Sequence, residues 1–277
     1  METLEEVHAN LYVYTAQSVI DREKTEVGRE FSSPMTALEF YRQVVPLIAK
    51  FKDGHTSIRP GQFCSAGEEE NWLFFPFDLS FKGKRVHITN NYSSIKIAEG
   101  AELLSINEIP IRKIQERLFK FISGKRREGK EANLEAIFQE LLTCVYGFEG
   151  EYEVEVRSRG GRVKEKITGV PYEKIREERG LESPPYSYRA LLEERIGIIN
   201  CRSFRDLESF KGVLKETFTK IKGERVEDLI IDIRKNSGGD SRLGNELLGY
   251  LTSKPFIRQS KNELMMRSLE ADGGYNY

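Results

Sequence analysis

The chain has 277 residues, a formal net charge of −1 and 31% charged residues. This length is enough for a sizeable core in one large domain or about two or three smaller ones. The near-neutral balance gives no overall field that would favour nucleic acid or a membrane surface. No apolar run approaches the length of a membrane span, and the acidic start lacks the basic and apolar regions of a signal peptide. The three cysteines show no metal-ligand spacing, so no metal site is expected.

Residues 1–60 have a helical pattern. The spacing of apolar residues predicts a first helix over about 2–14. A second helix is predicted to begin at Ser33–Pro34 and to kink at Pro46, because proline removes a hydrogen bond inside a helix.

The second predicted helix leads into the turn Asp53–Thr56, with the sequence Asp-Gly-His-Thr. This turn holds the imidazole of His55 beside a carboxylate and a hydroxyl. Such a histidine is a candidate general base whose second ring nitrogen is oriented by a neighbour. The other two histidines fit plainer roles, His8 as a packed or capping residue and His87 as a surface residue.

Residues 73–170 change to the two-residue period of strands, interrupted by helices. The predicted elements are, in order, a hairpin over 77–88, a strand–turn–strand over 99–111, helices over 112–123 and 131–146 with a charged loop at 124–130 between them, and a second hairpin over 152–167. Each hairpin is predicted to bury one face.

Residues 171–194 contain three prolines and are predicted to be irregular, as in a linker between domains. Strand, helix, strand and helix then follow over 196–201, 206–222, 229–233 and 241–252. This alternation implies parallel strands with right-handed crossovers. Leu229–Ile233 is predicted to be a buried strand, because four of its five residues are large and aliphatic. Two full strand–helix units are few for such a core, so the sheet is expected to be cut short.

A polar turn with two adjacent glycines, Gly238 and Gly239, joins the last predicted strand to the last predicted helix. Asp240 or Ser241 is expected to cap that helix. Glycines let backbone N–H groups approach a negative charge, and a helix start adds partial positive charge. Three interpretations remain open: a phosphate cradle, an oxyanion hole and a plain connection. The turn lacks the Gly-Lys-Ser/Thr ending of a P-loop and the three-glycine dinucleotide fingerprint.

Four segments, in order, resemble motifs of the serine peptidases that include the C-terminal processing (tail-specific) proteases and the tricorn core. Glu6–Tyr12 resembles the helix motif xxHPNLY, and Lys52–Thr56 resembles the helix end DGHT. Glu99–Ile111 resembles the central strand and turn of a PDZ-like module. Leu229–Gly239 resembles the motif LIIDLRxNxGG, with Ile233 where leucine is usual.

The resemblance implies an α/β fold, mixed α+β overall, in three parts. Residues 1–72 would form an N-terminal helical segment that ends in the Asp-Gly-His-Thr turn. Residues 73–170 would form a PDZ-like module with inserted helices. Residues 171–277 would form the first half of a crotonase-like (ClpP/crotonase) α/β peptidase domain.

The implied function is serine-type hydrolysis of peptide bonds in a peptide or protein substrate, without a metal or cofactor. His55 would be the general base, and the amides of Gly238 and Gly239 would form the oxyanion hole. In the family the nucleophilic serine lies on a later strand-to-helix turn than the glycine pair. Ser237 and Ser241 are interpreted as turn and cap residues. The chain is therefore expected to lack the nucleophile, and to be inactive or truncated.

The PDZ-like module is implied to bind an extended peptide as an added strand. Leu103, Leu104 and Ile106 are its candidate contacts. An alternative function of a different class is a non-catalytic peptide-binding protein that uses this groove, and a third is a phosphate-binding α/β domain. The resemblance also implies a periplasmic or other extracytoplasmic location.

Overall fold

The computed structural model describes residues 2–8, 10–31, 34–64, 72–83, 85–148, 150–180, 184–234, 236, 238–252 and 254. The chain divides into two compact units, Met1–Leu181 and Glu182–Tyr277. Helices and two sheets alternate along it, so the predicted mixed α/β class is confirmed. The PDZ-like module and the three predicted domain boundaries stay predictions.

The first unit contains helices and one sheet. Its helices are α1 (Glu2–Val7), α2 (Gln17–Glu30), α3 (Ala37–Ala49), α4 (Gly61–Cys64), α5 (Ile111–Leu118), α6 (Arg127–Tyr146) and α7 (Tyr172–Glu178). Its strands are β1 (Phe77–Lys82), β2 (Arg85–Asn91), β3 (Glu102–Ile106), β4 (Ile109–Pro110), β5 (Glu151–Ser158) and β6 (Gly161–Thr168). A 3₁₀ turn, Phe119–Phe121, follows α5. No helix among the described residues is both long and apolar enough to cross a membrane.

The sheet of the first unit is antiparallel, with the order β1-β2-β3-β5-β6 and β4 paired to β3. Both predicted hairpins and the strand–turn–strand are confirmed. Asn107 and Glu108 have φ values of 48° and 64°, the left-handed conformation that a tight two-residue hairpin turn requires. The Asn107 side chain accepts a hydrogen bond from the Glu153 amide at 2.8 Å, which ties this turn to β5.

Three predicted helix boundaries were wrong. The second predicted helix begins at Ala37 rather than at Ser33–Pro34, because Thr36 caps it together with Glu39. The first helix ends at Val7 rather than near residue 14, because the chain turns after it and buries Leu11 against Ile20 and Phe51. Helix α6 begins at Arg127, inside the predicted charged loop. The Arg127 guanidinium lies 2.8 Å from Glu131, one helical turn ahead, and such a pair supports a helix.

Helix α6 closes the outer edge of β1. The Phe81 amide donates to Glu135 Oε1 at 2.7 Å, and Gln139 Nε2 donates to the Phe77 carbonyl at 2.7 Å. These side chains occupy backbone groups that an added strand would need. The other edge strand of this sheet is β6, whose residues are mostly exposed.

A largely buried ion pair links β1 to the end of α7. Asp78 and Arg179 side chains are each 14% exposed, and Arg179 Nε lies 3.1 Å from Asp78 Oδ1. Tyr92, Asn90 and Gln139 also donate to the Asp78 carboxylate. Burial raises the pKa of Asp78, but the hydrogen bonds from Arg179, Tyr92 and Asn90 outweigh it and hold the pKa below its usual range. The carboxylate is therefore charged and well bonded at neutral pH.

The second unit has a three-stranded sheet and two helices. Its elements are β7 (Tyr186–Leu191), β8 (Ile196–Cys201), α8 (Leu207–Gly223), β9 (Asp228–Asp232) and α9 (Ser241–Leu251). The strands follow the order β7-β8-β9, and β8 pairs with β9 in parallel, as predicted.

Residues 171–194 are not irregular, since they contain α7 and β7. Pro184 and Pro185 precede β7 instead of interrupting it, a position that strands tolerate. Tyr186 packs its ring 4.5 Å from that of Phe210 on α8, so Tyr186 and Tyr188 belong to a strand and Tyr172 to α7.

The prediction that Leu229–Ile233 is buried was also wrong. Strand β9 lies at one edge of the sheet in the part of the chain that the structure describes, and Ile230 and Ile233 are 49% and 55% exposed. Only Leu229 and Ile231 pack against the core of this unit. An apolar run predicts a buried strand only if other elements cover both faces of that strand, and the run itself does not specify those elements.

Cys201 is a free thiol in the core of the second unit, and burial raises its pKa to about 11. Cys144 is buried and disulfide-bonded. We expect Cys201 to react with iodoacetamide at pH 8 about 100-fold more slowly in the folded protein than in urea, because the thiolate is the reactive form. Mass spectrometry of the peptide that contains Cys201 would measure this. Equal rates in the two states would contradict the buried position.

Candidate active site

The Asp-Gly-His-Thr turn is held together by the carboxylate of Asp53. Asp53 Oδ1 accepts a hydrogen bond from the His55 amide at 3.2 Å, and Oδ2 accepts one from Thr56 Oγ1 at 2.7 Å. The Thr56 carbonyl in turn accepts from Ser123 Oγ at 2.7 Å. The turn is therefore fixed by its own side chains and anchored to the chain ahead of α6.

His8 completes this network, a contact that the sequence analysis missed. Its Nε2 lies 3.0 Å from Asp53 Oδ2, while the Asn10 amide donates to its Nδ1 at 3.1 Å. Because Nδ1 accepts, the proton is on Nε2, which donates to the carboxylate. The signal for this contact was the joint presence of the Glu6–Tyr12 motif and the Asp-Gly-His-Thr turn.

Asp53 is an anion at neutral pH. Burial raises its pKa, but the hydrogen bonds from His8, Thr56 and the His55 amide outweigh burial and hold the pKa far below its usual range. A fixed negative charge therefore lies directly beside His55.

The imidazole of His55 is fully open to solvent, with a side-chain exposure of 101%, and its Nδ1 lies 3.6 Å from Asp53 Oδ1. The ring can reach an external proton donor, and the Asp53 carboxylate lies beside it. This arrangement suits a general base, although the Nδ1–Oδ1 distance is longer than a hydrogen bond.

The glycine turn of the second unit has a conformation that only glycine adopts readily. Gly238 and Gly239 have φ values of 90° and 131°. The Gly238 carbonyl accepts from the Phe204 amide at 2.9 Å, and the Phe204 carbonyl accepts from the Asp240 amide at 2.7 Å. The turn thus lies directly against the chain that follows β8.

Asn236 positions this turn through both ends of its side-chain amide. Its Nδ2 donates to the Cys201 carbonyl at 3.2 Å, and its Oδ1 accepts from the Gly238 amide at 2.7 Å. The Gly238 N–H is therefore engaged. The Gly239 N–H has no hydrogen-bond partner in the part of the chain that the structure describes. Of the two predicted oxyanion donors, Gly239 is the one available here.

We expect alanine to be tolerated far better at Gly238 than at Gly239. An added Cβ at Gly238 meets nothing within 4 Å, so only backbone strain of about 1–2 kcal/mol is expected. At Gly239 the Cβ would lie 2.0 Å from the Phe204 carbonyl oxygen. Strain and overpacking together should cost at least about 3 kcal/mol. Hydrogen exchange of the β8 and β9 amides measures the loss of stability in each variant. Similar losses for Gly238→Ala and Gly239→Ala would contradict this geometry.

The candidate serines lie near this turn. Ser237 is outside the described residues. Ser241 is the first residue of α9 and is exposed, and Asp240 is the N-cap, whose side chain accepts from the Arg242 amide at 2.8 Å. Capping by Asp240 follows one of the two predicted alternatives.

The three candidate peptide contacts lie on β3, an inner strand between β2 and β5. Leu103 and Ile106 are fully buried in the core, whereas Leu104 is half-buried. Leu103 and Leu104 both line a cavity of about 260 Å³ beside Pro110. These residues therefore border a small cavity, and their role in binding stays a prediction.

The predicted site residues fall into both units. His55, Leu103, Leu104 and Ile106 belong to the first unit, and Gly238 and Gly239 belong to the second. The turn that carries His55 and the turn that carries Gly238 and Gly239 are each held by hydrogen bonds within their own unit.

Comparison with known proteins supports the family recognised from the sequence. Residues 195–274 match the family model described as Peptidase family S41, so the resemblance to this peptidase family is confirmed. The match includes β8, β9 and the glycine turn. No curated protein gives a significant match.

Two solved structures match this chain in a structural comparison. A crystal structure of a CPAF mutant matches with a TM-score of 0.51 and 13% identity, over 86% of this chain and 55% of that chain. The crystal structure of mature CPAF matches with a TM-score of 0.48 and 14% identity, over 86% of this chain and 54% of that chain. This chain thus spans about half the length of the structures that it matches.

Proposed function

We propose that this chain carries the general base and an oxyanion donor of a serine-type peptidase that acts on peptide or protein substrates. The observation that carries the proposal is the Peptidase family S41 match across the glycine turn, where the Gly239 N–H is available. The turn around His55 supplies the second element, an exposed imidazole beside the anionic Asp53.

In the proposed reaction a serine hydroxyl attacks the scissile carbonyl while His55 takes its proton, and His55 later returns a proton to the leaving amine. Gly239 N–H donates to the oxygen on which negative charge develops. Asn236 holds Gly238 away from that role, so a second donor requires the Gly238–Asn236 hydrogen bond to open. The serine comes from sequence beyond the glycine turn, in keeping with the family order.

Fluorophosphonate labelling tests the proposal, because such probes react with activated serines. The 277-residue chain and the longest product of its reading frame should be compared with fluorescein-labelled casein as substrate. Labelling and hydrolysis by the longer product alone would support the proposal. If the 277-residue chain itself is labelled, and Ser237→Ala or Ser241→Ala abolishes the label, the nucleophile has been assigned to the wrong segment.

A non-catalytic peptide-binding protein is the second candidate. The engaged Gly238 N–H and the small cavity at Leu103 and Leu104 favour it. It predicts that neither product is labelled and that peptides nevertheless bind. Loss of that binding in Leu104→Asp, a half-buried position, would locate the peptide at this cavity.

A further inference from the structure

Six basic side chains line one cavity of the first unit. This cavity has a volume of about 820 Å³ and lies where the end of α3, the 3₁₀ turn and the start of α6 meet. We call it the lysine pocket. Its basic side chains are Lys50, Lys52, Lys120, Lys125, Arg127 and Lys130. Glu116 is its one acidic lining residue, in a chain whose net charge is −1.

Internal partners neutralise only part of this charge. Lys50 pairs with Glu23, and Arg127 pairs with Glu131 at 2.8 Å. Lys52 and Lys120 are both exposed, and neither has an ion-pair partner among the residues that the structure describes. Lys52 and Lys120 therefore add positive charge to the pocket that no ion pair among the described residues neutralises.

The remaining two lysines are held toward the pocket without being neutralised. Lys130 Nζ donates to the Phe119 carbonyl at 2.7 Å, and Lys125 Nζ lies 5.1 Å from the centre of the Tyr14 ring. Burial, and then the charge of Lys52, lower the pKa of Lys130. Its ammonium is thus destabilised by desolvation and by repulsion, and an anion in the pocket would relieve the repulsion.

The backbone adds to this field. Helix α6 has 20 residues and starts at Arg127, and its N-cap residue makes no side-chain capping bond. The N–H groups of its first turn therefore carry the partial positive charge of a helix start beside the lysines. Tyr14, Pro46 and Phe119 supply apolar lining against which aliphatic side-chain stems can pack.

We propose that the lysine pocket binds an acidic peptide segment, with several carboxylates distributed over its lysines. The six basic side chains line one cavity, whereas a nucleic-acid backbone is typically tracked by a stripe or groove of positive charge. The set contains five lysines and one arginine, and that arginine is already paired, so separate carboxylates suit it better than bidentate phosphates. This binding does not depend on proteolysis.

Fluorescence anisotropy of the purified 277-residue chain with fluorescein-labelled octaglutamate tests the proposal directly. We expect octaglutamate to bind, octaglutamine not to bind, and added salt to weaken binding because salt screens exposed charges. The variant Lys120→Gln/Lys125→Gln removes two pocket charges and should weaken binding by up to about tenfold.

The matched control is Lys113→Gln/Lys166→Gln, which removes two exposed lysines of the same unit outside the pocket. It should leave the affinity within about twofold of wild type, as for distant surface charges. An equal loss of octaglutamate affinity in both double variants would overturn the proposal, because binding would then depend on the net charge of the protein and not on the lysine pocket. Absence of octaglutamate binding would overturn it, as would tighter, pocket-dependent binding of an octathymidylate oligonucleotide.

Discussion

Replacing His55 with alanine should lower kcat/KM for peptide hydrolysis by about 10³-fold or more in the catalytically competent protein, since general base catalysis typically contributes 10²–10⁴-fold. The side chain is fully exposed and packs against nothing, so its removal should leave the fold intact. The loss should appear in kcat rather than in KM, because the imidazole acts on the proton of the nucleophile and not on the bound peptide.

Imidazole added to the His55→Ala protein should restore part of the activity, because the vacated position is open to solvent. His87, the half-buried histidine on β2, provides the control, and His87→Ala should retain wild-type activity. His8→Ala should give a loss between these two. Its Nε2 donates to Asp53, and Asp53 orients the turn that carries His55. Full activity of His55→Ala would show that another group is the base.

The sequence was sufficient where local signals and tertiary structure agree. Asn107 and Glu108 lie between two short strands and adopt the tight turn that their position predicts. The four elements of 196–252 were predicted to within about two residues, the usual uncertainty of helix and strand ends. β7 was missed because Pro184 and Pro185 resemble a linker locally, whereas the burial of Tyr186 against α8 is a tertiary effect.

The candidate site was predictable in composition but not in connections. His55 and the glycine pair each belong to a short motif, so they could be found from neighbouring residues alone. The hydrogen bond from His8 to Asp53 joins residues 45 positions apart, and the one from Asn236 to Cys201 joins residues 35 positions apart. No local pattern specifies such pairings. The engagement of the Gly238 N–H is, by contrast, a local contact, because Asn236 accepts from an amide two residues further along the chain, as asparagine side chains do in turns.

Replacing Arg179 with alanine should lower the free energy of unfolding of the first unit by about 3 kcal/mol, the lower end of the cost of breaking a buried ion pair. The substitution leaves the Asp78 carboxylate largely buried without its cation. The sole tryptophan, Trp72, packs against the core of this unit, so its fluorescence during urea unfolding reports on the correct unit. Arg157→Ala is the control, because it breaks an ion pair with Glu102 in which the Arg157 side chain is 42% exposed. It should lower the free energy of unfolding by less than about 1 kcal/mol.

The destabilisation by Arg179→Ala should shrink as the pH falls. In the wild type the pKa of Asp78 is lower in the folded state than in the unfolded state. The stability that this carboxylate contributes is therefore present above its unfolded pKa of about 3.9 and is lost as the pH falls through the folded value. Without Arg179, burial of Asp78 favours the neutral acid. Asp78 is therefore protonated at a higher pH in the variant than in the wild type, and this protonation removes the buried unpaired charge. The difference in free energy of unfolding between the wild type and Arg179→Ala should be largest at pH 7 and should decrease toward about pH 4.

A double variant separates the buried charge from the loss of packing. Asp78→Asn/Arg179→Gln removes both charges and keeps amide groups that can share hydrogen bonds with Tyr92 and Gln139. It should be more stable than Arg179→Ala at pH 7, because no carboxylate is left buried and unpaired. If the double variant is as unstable as the single one, and the gap to the wild type does not change with pH, the isolated charge is not the cause. The ion pair would then act through packing alone.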